Sequence, residues 1–234
     1  MNKTVKLLVA SIVAIAANSA IAGPGNWYIG AGAGMSSYKD WLSQDDITAA
    51  KNEFRADLGF VNFSGSESAE SEDKASGFKL FGGYSFHKNI AVELSYIDMG
   101  EVEANSSSSG TFFDSADNPV DGDLFASAKA SVDAFTLDAN LSYPIASFAA
   151  LFVKAGVYAA DAELESSAGS SFSTESINES RTDSSTGLHV GIGANFRVTD
   201  AIGLRAEWER LDNVEANGGE SDVDLISAAL IYTF

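Results

Sequence analysis

Apolar and polar residues alternate with a period of two in eight separate stretches of this chain. In WYIGAGAGMS, Trp27, Ile29, Ala31, Ala33 and Met35 share one face, while Tyr28 lies among glycines on the other. GFKLFGGYSF sets Phe78, Leu80, Tyr84 and Phe86 against Lys79, Phe81 and Ser85, and IAVELSYI sets Ile90, Val92, Leu94 and Tyr96 against Ala91, Glu93 and Ser95. The same rhythm runs through AFTLDANLSY, LFVKAGVYAA, LHVGIGANFR and IGLRAEWE, and through the closing stretch LISAALIYTF. Period-two alternation is the mark of a strand with two unlike faces. Each stretch is about ten residues long, the span of a tilted membrane-crossing strand.

The connections separate a soluble sandwich from a membrane barrel. Three are short, around Lys88, Ile145 and Thr199. The others, at residues 37–74, 101–125, 163–182 and 213–220, are mostly long, and short and long alternate strictly. A soluble domain has no reason to gather its long loops at one end, whereas an up-and-down barrel with periplasmic turns and extracellular loops does so by construction. The pattern predicts an all-β fold, an eight-stranded antiparallel up-and-down transmembrane β-barrel over residues 23–234 with four extracellular loops. Aromatics near strand ends, among them Trp27, Tyr84, Tyr143, Trp208 and Tyr232, suit girdles at the two interfaces. In a closed barrel the last strand pairs with the first, so Ile226 to Phe234 can face lipid without an exposed edge.

The start of the chain changes the picture of where it goes. Lys3 and Lys6 precede an apolar run, and Ala20-Ile21-Ala22 is a small-residue cleavage pattern. Residues 1–22 therefore read as a cleaved secretory signal, with Ala20 and Ala22 marking the site. The run is too short to span a bilayer. The formal charge of −19 argues against nucleic acid, which is held by clustered Lys and Arg. The absence of cysteine excludes a disulfide scaffold and thiolate metal sites.

With these residues in place, the chain resembles the outer membrane protein A-type eight-stranded barrels of Gram-negative bacteria. The resemblance is carried by FKLFGGYSFHKNIAVELSYIDMGE, LFVKAGVYAADAEL, LHVGIGANFRVTDAIGLRAEWERLDNV and SDVDLISAALIYTF. It implies insertion in the cell outer membrane by the barrel assembly machinery, which reads a terminal aromatic strand; Tyr232 and Phe234 fit that signal. Many members add a peptidoglycan-binding domain, and nothing after Phe234 supports one here. Expected partners are outer-membrane lipid and lipopolysaccharide, with an extracellular partner left open, and the barrel is expected to be a monomer.

Eight strands leave an interior just wide enough for side chains. The inward set holds Lys79, Glu93, Asp138, Lys154, Arg197, Arg205, Glu207 and Glu209. Charges there must pair, and Lys79, Glu93, Asp138, Lys154, Arg197, Arg205 and Glu207 are the expected ion-pair network, centred on Lys79, Glu93, Arg205 and Glu207. The glycines of the first and sixth stretches predict water-filled gaps near Tyr28 and His189. No enzyme, cofactor or specific metal site is expected. His87 falls in a turn, and His189 lacks a serine at the spacing of the lipid A deacylase barrels. Asp114, Asp117, Asp121 and Asp123 do not match an EF-hand and read as a solvated loop, with diffuse Mg²⁺ or Ca²⁺ bridging to lipopolysaccharide. NSSSSG and SSAGSSFSTES read as flexible loops. SQDDITAAKNEFRADLG reads as a short amphipathic helix from Ser43 to a stop at Gly59, packing on the barrel mouth or lying at the membrane surface, with a docking element for another protein as the alternative. The leading role is structural and surface-exposed, in envelope integrity and adhesion; the alternative is a narrow low-conductance pore.

Overall fold

The computed structural model describes residues 25–38, 41–216 and 219–234. The expected signal sequence, with Ala20 and Ala22, lies outside the described residues. The elements are β1 (Asn26–Tyr38), α1 (Gln44–Asp57), β2 (Phe60–Ser71), β3 (Lys74–His87), β4 (Ile90–Asp114), β5 (Pro119–Ala146), β6 (Ala149–Ser170), β7 (Ser176–Arg197), β8 (Ile202–Ala216) and β9 (Gly219–Thr233). The sheet runs β2-β4-β3-β1-β9-β8-β7-β6-β5, and β4 also pairs with β5. Eight strands therefore close a ring, every pairing antiparallel. The seam is the β1–β9 ladder, from Tyr28 opposite Thr233 to Tyr38 opposite Val223.

The two faces of this ring are inverted relative to a soluble protein. Ile226 of β9 is 65% exposed, and Leu137, Leu151, Leu188 and Leu230 are exposed with it. The charged Lys79 and Glu93 are buried, at 1% and 0% exposure. Apolar side chains turned outward form a hydrocarbon-facing band, and polar ones are enclosed, as in membrane barrels. Trp27 stacks near Tyr84, and Tyr84 near Phe86, where the strands reach the short-turn end.

The ninth strand is not part of the ring. β3 pairs with β4 along Ile90–Asp98, and β2 continues the same line along Ala104–Asp114. Between them β4 carries a bulge, and its inward residues change parity from Glu93, Ser95, Ile97 and Met99 to Val102, Ala104, Ser106 and Ser108. Gly100 sits in the bulge at φ 75°, a conformation that L side chains rarely adopt. β7 behaves similarly: it pairs with β8 only from His189 onward, while its first half pairs with β6 alone. Above the ring, β2, β4, β5, β6 and β7 thus stand as an open five-stranded sheet.

This sheet corrects the expected loops. Residues 101–125 and 163–182 are mostly strand, reduced to turns near Ala116 and Ser173. The serine runs are strand except at residues 171–175. Ser106 and Ser108 are buried, Ser68 bonds Ser107 at 2.8 Å, and Ser127 bonds Ser167 at 2.8 Å across neighbouring strands. Serine has low β-propensity in isolation, but small hydroxyls that pair across strands and pack under a helix satisfy a sheet.

The helix is α1. Ser43 caps it by accepting from the Asp46 N–H at 3.1 Å, Asp45 and Asp46 occupy the positive end, and Gly59 follows the last turn at φ 86°. Ile47, Lys51 and Phe54 form its buried face. Ile47 packs on Ala104 and Ala126, and Phe54 on Phe112 and Leu124, so the helix lies against the inner wall of the tall sheet. Lys51 bonds Glu67 at 3.1 Å and the Ser107 carbonyl at 3.3 Å. Phe60, Phe63, Phe112 and Phe172 stack around the far tip.

Two outcomes follow. Phe112→Ala should remove about 3–5 kcal/mol from this tip core. Limited proteolysis should then cut residues 60–71 and 105–124 while the ring stays protected. The Ser108 hydroxyl, followed by Lys51, holds the Glu67 carboxyl below its ordinary value of 4.5. A depressed carboxyl stabilises the fold above its unfolded value and loses that contribution as pH falls through the folded value. Protection of the α1 amides, relative to their intrinsic exchange at each pH, should therefore fall below pH 4.5, and Glu67→Gln should flatten that dependence.

Candidate functional site: the charged lumen

The ring encloses three layers. Nearest the short turns are Tyr28, Phe81, Ala229 and Ile231. The middle layer is ionic. The upper layer is apolar, formed by Ile97, Met99, Val102, Val132, Leu211, Val214, Val223 and Leu225, each at 0–1% exposure. Tyr38 belongs to it, with its hydroxyl donating to the Gly100 carbonyl at 2.6 Å and accepting from the Val132 N–H at 3.2 Å.

Register builds the ionic layer. Lys79 on β3, Glu93 on β4, Asp138 on β5, Lys154 on β6, His189 on β7, and Arg205, Glu207 and Glu209 on β8 all have inward parity at similar heights. Lys79 meets Glu209 at 2.8 Å, Glu207 at 2.9 Å and Glu93 at 3.8 Å. Lys154 sits between Glu207 and Glu209 at 2.5 Å from each. Arg205 donates to Glu93 at 2.8 Å and lies 3.9 Å from Glu207. The Tyr28 hydroxyl donates to Glu93 at 2.9 Å.

His189 bridges the layer to Asp138. Its Nδ1 lies 2.8 Å from Asp138 and its Nε2 lies 3.2 Å from Glu209. A neutral imidazole donates from one nitrogen only, whereas an imidazolium donates from both. The hydrogen bond is made at Nδ1, and Nε2 faces Glu209. Lys79, Lys154 and Arg205 thus meet Glu93, Glu207 and Glu209, and His189 meets Asp138, so that the charges of a dry interior are paired. Among the described residues, the polar partners of this histidine are the carboxylates of Asp138 and Glu209.

Two expectations are corrected. Arg197 shares the inward parity but is exposed at the end of β7, opposite Gly203, and joins no ion pair of the layer. The last residue of a strand reaches the barrel mouth, where solvent competes with any buried partner. The gaps beside the lumen glycines are filled by neighbouring side chains rather than water. The Tyr28 ring occupies the space over Gly83, Phe152 that over Gly193 and Lys154 that over Gly191, so a Cβ at these positions would collide.

Glu209 is the hub that the expected network omitted, touching Lys79, Lys154 and His189. The other missed feature is aromatic. The Arg205 guanidinium lies 4.5 Å from the Phe81 ring centre and 4.7 Å from that of Phe152. The signal was present as inward aromatics on glycine-bearing strands, but pairing across the lumen is not readable from spacing. His87 is exposed in its turn. Asp114 orders its own turn by accepting from Ala116 and Asn118, and the Asn118 side-chain amide, with the backbone N–H groups, holds its carboxyl below the ordinary range. Asp121 and Asp123 accept from Thr111 and Ser109 across the β4–β5 ladder. Among the described residues no cluster of three or more His, Asp or Glu has metal-holding geometry. Tyr232 and Phe234 lie edge to face, ring centres 5.0 Å apart, on the last strand beside Trp27, whose carbonyl accepts from the Phe234 N–H at 3.0 Å.

Comparison with known proteins places this architecture. A family model for the OmpA-like transmembrane domain matches residues 24–234. No curated protein matches the chain. Among solved structures, Ail, the attachment invasion locus protein of Yersinia pestis, in complex with the heparin analogue sucrose octasulfate, is 15% identical, with a TM-score of 0.46 over 91% of this chain and 100% of that one. OprG of Pseudomonas aeruginosa is 14% identical, with a TM-score of 0.47 over 90% and 96%. Neisserial surface protein A is 14% identical, with a TM-score of 0.45 over 89% and 97%.

Removing the hub should unbalance the layer. Glu209→Gln leaves two lysines and His189 short of one carboxylate and should cost about 3–5 kcal/mol, as breaking a buried pair does. Urea unfolding in lipid vesicles, read by tryptophan fluorescence, checks this value.

Proposed function

This chain belongs to the OmpA-like transmembrane domain family, and from that membership we propose a structural, surface-exposed role in the envelope. The protein is an integral β-barrel of the outer membrane. In the proposed role the barrel contributes to envelope integrity, its lumen is locked by ion pairs, and its tall extracellular sheet presents the surface through which cells adhere. Lipopolysaccharide surrounds the barrel, the assembly machinery inserts it through the strand that carries Tyr232 and Phe234, and it acts as a monomer without catalytic activity.

The observation that carries this reading is the apolar layer across the lumen. Side chains from β1, β4, β5, β6, β8 and β9 meet there at 0–3% exposure. An ion crossing the barrel would leave the charged layer and enter a tightly packed, largely apolar region. Stripping an ion of water there costs far more than thermal energy. The narrow pore is therefore the weaker alternative. The same ion pairs act as register locks, because a one-residue slip of any strand would turn its charges to hydrocarbon.

Planar-bilayer recording of the refolded protein tests the role. No resolvable current steps are expected at several hundred millivolts. Ohmic steps that scale with salt would overturn the closed barrel in favour of the pore.

A further inference from the structure

The periplasmic end of the lumen opens into a cavity of about 380 Å³. In a chain with formal charge −19, its lining carries three cationic side chains, Lys88, Arg197 and Arg205, and one acid, Asp200. Arg205 is 4% exposed and Asn140 is 3% exposed, so these two line the deep part, whereas Lys88 and Arg197 are exposed at the rim.

The deep donors are fixed but not fully used. Arg205 donates through Nε to Asn195 Oδ1 at 2.9 Å and through Nη1 to Glu93 at 2.8 Å. Phe81 and Phe152 hold its guanidinium on either side. Its guanidinium also borders Tyr28, and among the described residues Nη2 makes no hydrogen bond to Asn195 or Glu93. The Asn195 amide turns its oxygen to Arg205, which leaves its Nδ2 unpartnered, and the Asn140 Nδ2 has no partner either. All three residues line the same cavity. An immobilised guanidinium edge in a cavity that is also lined by two amide side chains suits an oxyanion. Glu93 sits at the other nitrogen of the guanidinium and neutralises part of its charge, so affinity rests on the hydrogen bonds and on the two rim cations.

We propose that this vestibule binds a small oxyanion, a carboxylate or phosphate group presented from the periplasm. The Nη2 edge of Arg205 and the Nδ2 groups of Asn140 and Asn195 donate to it. Lys88 and Arg197 raise its local concentration at the mouth. Chloride, which cannot accept in a forked geometry, is a poor substitute.

The test uses the refolded protein in octyl glucoside, a detergent without phosphate. Nitrogen-15 NMR follows the Arg205 Nε and the Asn140 and Asn195 Nδ2 signals during titration with sodium phosphate, sodium acetate, or sodium chloride at matched ionic strength. Saturable shifts at millimolar phosphate or acetate, absent with chloride, are expected. The rim variant K88Q/R197Q, which touches no buried pair, should weaken binding by about tenfold. Asn140→Leu should weaken it while leaving the Lys88 and Arg197 signals in place. A parallel titration with short-chain phosphatidylglycerol separates the sources: saturation by it alone assigns the site to a lipid headgroup phosphate, and saturation by the free ions assigns it to soluble anions. Shifts that are linear, that are equal in chloride, or that both variants leave unchanged would overturn the proposal and leave a merely hydrated mouth.

Discussion

Closure of the sheet is the constraint from which the rest follows. Hydrocarbon offers no hydrogen-bond partner, so each backbone N–H and C=O within it must pair inside the protein. The β1–β9 ladder supplies the last pairing and removes both edges at once. Once the ring is closed, its two faces have fixed destinations. One face meets lipid and must be apolar, and the other is sealed from it and collects whatever the alternation places there. Burial of eight ionisable groups in one layer is a consequence of that geometry, and it is tolerated because the layer is nearly balanced.

The same closure ends where the membrane ends. β1, β3, β8 and β9 stop after 13–15 residues, while β4, β5, β6 and β7 run for 22–28. Beyond the bilayer the backbone can bond to water, so the taller strands stand as an open sheet without penalty. That sheet needs its own reason to stay ordered. Its phenylalanine tip and α1 provide it, with Ile47 and Phe54 filling the concave side. The lumen is thereby divided. Apolar residues pack across it beneath the helix, ion pairs brace its middle, and a cavity with polar donors at its base opens at the periplasmic mouth.

Glycines and aromatics alternate across neighbouring strands for a related reason. An eight-stranded ring has little interior room, so a large inward ring on one strand is accommodated only opposite a residue without a Cβ. Tyr28 over Gly83 and Phe152 over Gly193 are such pairs. They also explain how Arg205 is held: the aromatic walls that clamp it reach across space vacated by glycine.

The period-two pattern by itself determined the strand faces, the eight strands of the ring and the membrane destination, because side-chain direction in a strand is a local property of the backbone, but it left β2 within an expected loop. It also placed Lys79, Glu93, Asp138, Lys154, Arg205 and Glu207 on the inward face, and Ser43 and Gly59 at the ends of a helix, since caps are local too. Tertiary structure alone decided the rest. Which charges meet depends on strand stagger around the ring, and stagger made Glu209 a hub and carried Arg197 out to the mouth. Whether NSSSSG is loop or strand depends on what covers it, and the cover, α1, lies about fifty residues earlier in the chain. Long-range register and packing have no trace in local alternation, because the sequence specifies them only through contacts that exist once the ring has closed.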